Sequence, residues 1–312
     1  MRALTVTLVV VATGCGGNWS NGDLVFANAL PRTEDLRSTL PSSSTAQPLE
    51  GVSTRRDGLM VGDPSNAWAL TRAASSDYNG ILVALLGILD QARRAPPTER
   101  TPTSRTWGPF ADSNNAGREL RVVISQTDDT GRSFSWQVES RPFNGEWLQV
   151  ITGNFLTNGE TTVRKGQGAI QVPVKDFRDV IKTDANIAQL DLVTIGYVTD
   201  SWPNRVEMNF TLKPGSTTGL SALGYTSLLQ EDGGGSMRFV WSNTDVNVEQ
   251  LEITARWMST GEGRAFGVVQ KGNYTGANVT ECWNRSFTVT HYAESWQGGM
   301  TAGTESSCVT FP

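Results

Sequence analysis

The sequence has little of the chemistry that common catalytic and metal sites need. It contains one histidine, His291, and three cysteines among 312 residues. A single histidine excludes histidine clusters within one chain, and the cysteines are too few and too widely spaced for a zinc site. A Ser-His-Asp triad would have to use His291. This residue alternates with Phe287 and Val289, so we predict that it lies in the core.

Motifs for nucleophilic catalysis and nucleotide binding are also missing. There is no G-x-S-x-G elbow, no S-x-x-K pair, no phosphate loop and no dinucleotide fingerprint. Two acidic pairs and one single acid lie beside or near glycines and are interpreted as turn residues. They are Asp128-Asp129, Glu231-Asp232 and Glu262. Calcium sites at Asp128-Asp129 or at Asp245 and Asn247 lack the spacing of an EF-hand. We therefore predict no enzymatic activity, no cofactor and no metal.

The charge balance excludes a further class of partner. The formal net charge is −5, whereas a nucleic-acid-binding surface needs a basic face. We predict no nucleic-acid partner. Hydrophobic residues make up 38% of the chain, which is enough to build a packed core.

The first fifteen residues have the pattern of an export signal. Arg2 precedes an apolar segment, Leu4–Ala12, and small residues stand immediately before Cys15. This pattern resembles the lipobox of bacterial lipoproteins, and an ordinary secretory signal that contains a cysteine is the alternative. The resemblance implies a lipid anchor (palmitate and diacylglycerol) on Cys15 and therefore a membrane as partner. Gly16 after the cysteine implies attachment to the outer membrane of the cell envelope.

Lipidation of Cys15 would leave Cys282 and Cys308 as a pair. Export to an oxidising compartment favours a disulfide bond between them. Two unpaired thiols are the alternative.

Composition divides the chain into a signal peptide (1–14), a flexible tether (15–58) and one α+β domain (59–312). The tether is rich in glycine, proline and serine, and short helical turns are plausible at Asp23–Phe26 and Thr33–Leu36. The segment NGDLVFANALPRTEDLRSTLP resembles the N-termini of myxobacterial lipoproteins. That resemblance implies surface attachment and carries no information about activity.

The helical part of the domain is predicted over 63–95. Asp63-Pro64 is a typical helix start, and the strongest helix is expected after Ser75-Ser76-Asp77. Its apolar residues recur every three to four positions and form one stripe: Tyr78, Ile81, Leu82, Leu85, Ile88, Leu89 and Ala92. Gly80 and Gly87 weaken this helix locally, and we expect them to let another backbone approach closely.

From 106 to 312 the hydrophobic pattern changes to a period of two, which is typical of strands. Turn signals such as Asn144-Gly145 and Gly233-Gly234-Gly235 separate the strands. The sequence therefore predicts a mainly β fold, in which a large curved antiparallel meander, a half-barrel or barrel, packs on one amphipathic helix. A short helix is also expected between Lys175 and Ala188. The outline is similar to that of LolA-type lipid-binding envelope proteins.

The tryptophans belong to two groups. Trp136, Trp241 and Trp257 alternate with polar residues and are predicted to fill the core. Trp202, Trp283 and Trp296 lie near turns. These three either cover the edge of the sheet or form exposed contact aromatics.

Two functions follow from this outline. The first is an envelope lipoprotein that binds a lipid or another apolar ligand in a cavity of the curved sheet. The alternative is a cell-surface interaction or adhesion module that uses exposed loops and tryptophans to bind another envelope protein. The observation that separates them is whether the helix fills the inner face of the sheet or leaves an open apolar cavity there.

Overall fold

The structure is a computed structural model that describes residues 19–41, 59–158, 164–182, 187–214, 222–243, 249–296 and 298–311. Its helices are α1 (Asn21–Ala29), α2 (Thr33–Leu36), α3 (Asn66–Ala92) and α4 (Val174–Phe177). Its strands are β1 (Glu99–Arg100), β2 (Ser104–Ala111), β3 (Arg118–Gln126), β4 (Ser133–Pro142), β5 (Leu148–Thr157), β6 (Gly166–Val172), β7 (Leu190–Val198), β8 (Asn204–Leu212), β9 (Ala222–Leu229), β10 (Gly235–Asn243), β11 (Glu249–Trp257), β12 (Gly263–Lys271), β13 (Asn278–Trp283), β14 (Val289–Glu294) and β15 (Met300–Gly303).

All strands form one sheet in which spatial order follows sequence order. The sheet has 15 strands, and each pairs antiparallel with the strand before and after it. Within the described residues β1 and β15 have one neighbour each, so the sheet is open. The predicted mainly β antiparallel meander is confirmed, and of its two forms the closed barrel is wrong.

Helix α3 begins later than the sequence predicts and is continuous. Its N-cap is Ser65, whose Oγ accepts a hydrogen bond of 3.0 Å from the backbone N–H of Trp68. Pro64 instead forms an isolated bridge with Thr288. The predicted stripe is confirmed, since six of its seven residues are buried and Ile88 is half-buried.

Helix α3 lies across the strands. Trp68, near its start, contacts Trp257 of β11 and Trp283 of β13, while Tyr78, near its middle, contacts Tyr225 of β9. A helix of 27 residues is about 40 Å long, and the nine strand spacings from β3 to β12 cover about 43 Å. The helix therefore extends across most of the strands on one face of the sheet, which we call the inner face.

The prediction of a flexible tether is wrong for residues 19–41. The two helical turns expected there form α1 and α2, and Phe26, Leu30 and Leu36 are buried in the same core as α3. The hydroxyl of Tyr78 donates a hydrogen bond of 2.6 Å to the carbonyl of Leu36. Burial of these apolar side chains outweighs a composition that is otherwise typical of a linker. Residues 42–58 lie outside the described residues.

A buried ion pair fixes α1 to the first strands. Asp23 is fully buried, and its carboxylate accepts hydrogen bonds from Arg105 Nε at 2.6 Å and Arg100 Nε at 3.2 Å. Burial alone would raise the pKa of Asp23. The hydrogen bonds from the Ser20 backbone and from Arg105 outweigh that effect and hold the pKa at about 2.

Cross-strand pairs of an aromatic residue and a glycine recur along the sheet. Trp136 lies opposite Gly153, Trp257 opposite Gly235, and Trp283 opposite Gly263. A Cβ atom added to any of these glycines would lie 2.3–3.0 Å from the indole ring. The glycines thus give the large rings room against the strand backbone.

Candidate functional site: an apolar cavity beside the end of helix α3

A cavity of about 660 Å³ lies between the C-terminal half of α3 and strands β2 to β6. Helix α3 contributes Val83, Ala84, Leu85, Gly87, Ile88 and Gln91, and the strands contribute Ala111, Leu120, Val138, Val150, Ile151 and Val172. The turn between β2 and β3 contributes Asp112, Ser113, Asn114 and Asn115, and the connection between β6 and β7 contributes Phe177, Ile181, Lys182 and Ile187. The cavity is open to solvent, since Val83 and Ala84 line it and are exposed.

The wall from the helix and strands is almost entirely apolar. Its one polar side chain is that of Gln91, while the turn and the connection bring Asp112, Lys182 and the remaining polar groups. In the described part of the chain, none of the buried polar atoms that lack a hydrogen-bond partner belongs to a residue of this wall. The cavity therefore suits an apolar group, with polar contacts confined to its turn and connection.

Gly87 leaves part of this space open. A Cβ atom built on Gly87 meets no atom within 4 Å. A Cβ atom built on Gly80, on another face of the helix, also meets none. The expectation that these glycines admit a neighbouring backbone is therefore wrong. Gly80 is exposed to solvent, whereas Gly87 lines the cavity.

The turn and the connection meet at Asn115 and Lys182. The backbone N–H of Lys182 donates to Asn115 Oδ1 at 2.6 Å, and Asn115 Nδ2 contacts the Lys182 carbonyl at 3.4 Å. Asp112 orders the turn, because its carboxylate accepts from the backbone N–H of Asn114 at 2.9 Å and from Asn115 Nδ2 at 2.9 Å. The turn and the connection, which are separated in the sequence by strands β3 to β6, are thus joined directly.

The connection is also fixed at its own start. Helix α4 confirms the short helix predicted in this region, and its Phe177 is buried. Arg178 donates hydrogen bonds to the carboxylate of Asp191 and to the carbonyl of Ala188. These contacts satisfy the guanidinium group and hold the connection beside β7.

The N-terminal half of α3, in contrast, is packed with aromatic rings. The ring of Trp68 stacks on Phe287 with a centroid distance of 4.5 Å and an angle of 6°. It also contacts the buried rings of Trp257 and Trp283. The helix therefore fills the inner face at one end and leaves an open apolar cavity at the other.

The start of α3 also holds a buried acid that sequence reasoning missed. Glu281 on β13 is 4% exposed, and its carboxylate accepts hydrogen bonds from Ser65 Oγ and from the backbone N–H of Ala67 at 3.2 Å. Burial raises the pKa of Glu281 to about 7 in spite of these hydrogen bonds. Alternation in β13 placed this residue on the inner face, but nothing in the sequence indicated that a helix N-terminus would meet it.

The predicted contact tryptophans have different surroundings. Trp202 is 44% exposed, as expected for a contact residue, and Trp296 is half-buried. For Trp283 the alternative of an exposed contact residue is wrong, since it is 2% exposed and its Nε1 donates to the carbonyl of Gly261 at 2.9 Å. Its position at the end of β13 directs it to the inner face, where it packs on Trp68.

The predicted cysteine pair is present. Cys282 and Cys308 form a disulfide bond with their Cα atoms 5.3 Å apart, which attaches the C-terminal segment to β13. His291 lies opposite Cys282 in the sheet and is buried, as predicted. Cys15, the predicted lipidation site, lies outside the described residues, as do Asp245 and Asn247.

The acids beside glycines are turn residues. The carboxylate of Asp128 accepts hydrogen bonds from Thr130 Oγ1 and from the backbone N–H groups of Arg132 and Ser133. The hydrogen bond from Thr130 is the largest of the effects that lower the pKa of Asp128 to about 2.

Among the residues that the structure describes, no group of three or more histidine, cysteine or acidic side chains is placed to hold a metal ion. In the same residues no helix is both long and apolar enough to cross a membrane.

Comparison with known proteins found no matching family model, no matching curated protein and no matching solved structure.

Proposed function

We propose that this protein binds a lipid or another apolar ligand in the cavity between α3 and strands β2 to β6. The observation that carries the proposal is an open cavity of about 660 Å³ whose helix and strand walls are apolar. Its volume lies in the range of about 300–1,000 Å³ that is common for ligand sites.

The energetics of the cavity support an occupant. Removing apolar surface from water contributes a favourable free energy of about 25 cal/mol for each Å² buried. The side chains of Leu120 and Ile88 are half-buried where they line the cavity. A ligand that covers them removes this surface from water, and its own apolar surface is buried in the same step.

Membrane attachment through a lipid on Cys15 is the second part of the proposal. It rests on the lipobox-like segment that ends at Cys15 and on the pairing of the other two cysteines in a disulfide bond. Attachment to the cell envelope, at the outer membrane, would hold the cavity close to a source of lipids.

The binding function is tested by filling the cavity from the helix. Gly87→Leu places an apolar side chain into the open space, and Gly80→Leu makes the same change on the exposed face of the same helix. The probe is N-phenyl-1-naphthylamine, a neutral dye that fluoresces in apolar sites. We expect saturable binding to the unmodified protein and to Gly80→Leu, and an affinity at least about tenfold lower for Gly87→Leu, since the cavity has lost that volume.

Two controls make the result decisive. Circular dichroism and thermal unfolding show whether both variants keep the fold, and leucine is a better helix former than glycine at both positions. Equal affinities of the two variants, or no saturable binding by the unmodified protein, would contradict the proposed function.

An interaction or adhesion role has one supporting observation, the exposed ring of Trp202. Trp202 lies in the turn between β7 and β8, whereas the cavity opens among the turn between β2 and β3 and the connection between β6 and β7. The two functions therefore use different surfaces, and a Trp202→Ala variant that lost partner binding and kept dye binding would assign the adhesion role to that turn.

A further inference from the structure

The charged groups at the cavity are few. Of the described residues that line it, only Asp112 and Lys182 carry a formal charge. Asp112 is 9% exposed, and its two carboxylate oxygens accept hydrogen bonds from Asn114 and Asn115 of its own turn. Its carboxylate is therefore hydrogen-bonded within the turn.

Lys182 differs from Asp112 both in its exposure and in its side-chain contacts. It is exposed, and among the described residues no carboxylate forms an ion pair with it. The neighbouring cation of the same connection, Arg178, is bonded to Asp191. Lys182 thus provides the one positive charge among the described residues that line the cavity.

Neutral polar side chains accompany this cation. Gln91, Ser113 and Asn114 line the same cavity as Lys182 and can donate hydrogen bonds to oxygen atoms. An apolar wall with a cation and amide groups at one edge matches a molecule with an apolar chain and an anionic end.

From this arrangement we infer that the ligand is a single-chain amphiphile with an anionic head group. Its chain lies against α3 and strands β3 to β6, and its head group lies beside Lys182. The inference rests on the proposed function and specifies the ligand class for the same cavity. A single chain suits the cavity volume of about 660 Å³, which lies in the range of sites for one small ligand.

The position of Lys182 is set by its backbone, which allows a clean substitution. The contacts to Asn115 involve the N–H and carbonyl of Lys182 and leave its side chain free of that role. Lys182→Gln therefore removes the charge and keeps the junction. Lys175→Gln is the matched control, because Lys175 is an exposed lysine of the same connection that does not line the cavity.

The experiment is a displacement titration of bound N-phenyl-1-naphthylamine at low ionic strength and mildly alkaline pH. The competitors are palmitate, cetyl alcohol and cetyltrimethylammonium, which share one chain and differ in head-group charge. We expect palmitate to displace the dye at about fivefold lower concentration than cetyl alcohol, the effect of one partly exposed ion pair, and cetyltrimethylammonium to be the weakest competitor. In Lys182→Gln the advantage of palmitate is lost and displacement by cetyl alcohol is unchanged, while Lys175→Gln behaves like the unmodified protein.

The outcomes separate this inference from the proposed function. Equal displacement by palmitate and cetyl alcohol, or a palmitate advantage that persists in Lys182→Gln, overturns the anionic head group and leaves the apolar cavity function intact. Failure of the dye to bind, or failure of all three competitors to displace it, overturns the proposed function itself.

Discussion

At the scale of single residues, the surroundings of Glu281 have opposing effects on its pKa. It is a carboxyl group on a strand that meets the N-terminus of a long helix, where backbone N–H groups favour a negative charge. Burial opposes the charged form, and its effect exceeds that of the hydrogen bonds, so the pKa is raised to about 7. Protonation of Glu281 therefore favours the folded state.

The pH dependence of stability follows from this shift. The folded pKa of about 7 lies above the ordinary glutamate value of 4.5, so the folded state binds the proton more tightly than the unfolded state. The stabilisation is complete below about pH 4.5 and is lost as the pH rises through 7. We expect the free energy of unfolding to fall by about 3 kcal/mol over that range.

The measurement is urea unfolding of the unmodified protein and of Glu281→Gln at a series of pH values between these limits. Glutamine keeps an oxygen that accepts hydrogen bonds from Ser65 and Ala67 but does not titrate. The difference in stability between the two proteins should change with pH in the stated direction. A difference that stays constant across the range would show that the pKa of Glu281 is not raised.

At the scale of elements, the sheet combines large rings with glycines on neighbouring strands. A Cβ atom at Gly153 would lie 2.3 Å from Trp136 Cζ2, and one at Gly263 would lie 2.4 Å from Trp283 Cζ2 and 2.3 Å from the carbonyl of Arg256. Ladder hydrogen bonds hold neighbouring strands at a fixed distance. A methyl group at either glycine therefore displaces the ring or strains the ladder.

We expect Gly153→Ala and Gly263→Ala each to lower the free energy of unfolding by about 1–3 kcal/mol. The matched control is Gly196→Ala in β7, where a Cβ meets no atom within 4 Å, and where the change should stay within about 0.5 kcal/mol. Chemical denaturation of the three variants measures the difference. A loss at Gly196 as large as at the other two positions would mean that glycine matters here for strand propensity and not for the approach of the rings.

Sequence patterns predicted the type of these elements better than their burial. The period of the apolar residues from Tyr78 to Ala92 and the alternation after residue 106 reflect local geometry, and the structure confirms both. The burial of α1 and the inward position of Trp283 depend on which surfaces meet in three dimensions. The sequence therefore predicted the helical turn of α1 but not its burial, and it left the exposure of Trp283 open.

At the scale of the whole molecule, one long helix covers an open sheet unevenly. Its aromatic N-terminal half is packed against β11 and β13, while its smaller C-terminal residues leave the cavity. No sequence pattern predicted which end would stay open. The space depends on the turn at Asp112–Asn115 and on the connection through α4, and both are placed by the register of distant strands.

Attachment to a membrane is also a property of the whole chain. We expect a bacterial host that processes lipoproteins to label the protein with an alkyne analogue of palmitate, and Cys15→Ser to abolish that label because the acceptor thiolate is lost. Cys282→Ser serves as the control and should retain the label. Absence of label on the unmodified protein, or its persistence in Cys15→Ser, would contradict lipidation at Cys15.

The central claim is that the cavity beside α3 holds an apolar ligand. Native mass spectrometry of the purified protein, followed by organic extraction, tests it directly because a ligand acquired in the cell adds a discrete mass. We predict a bound apolar molecule on the unmodified protein and on Gly80→Leu, and its loss from Gly87→Leu. A protein that carries no adduct and acquires none when incubated with palmitate, or a Gly87→Leu variant that retains as much ligand as Gly80→Leu, would contradict the claim.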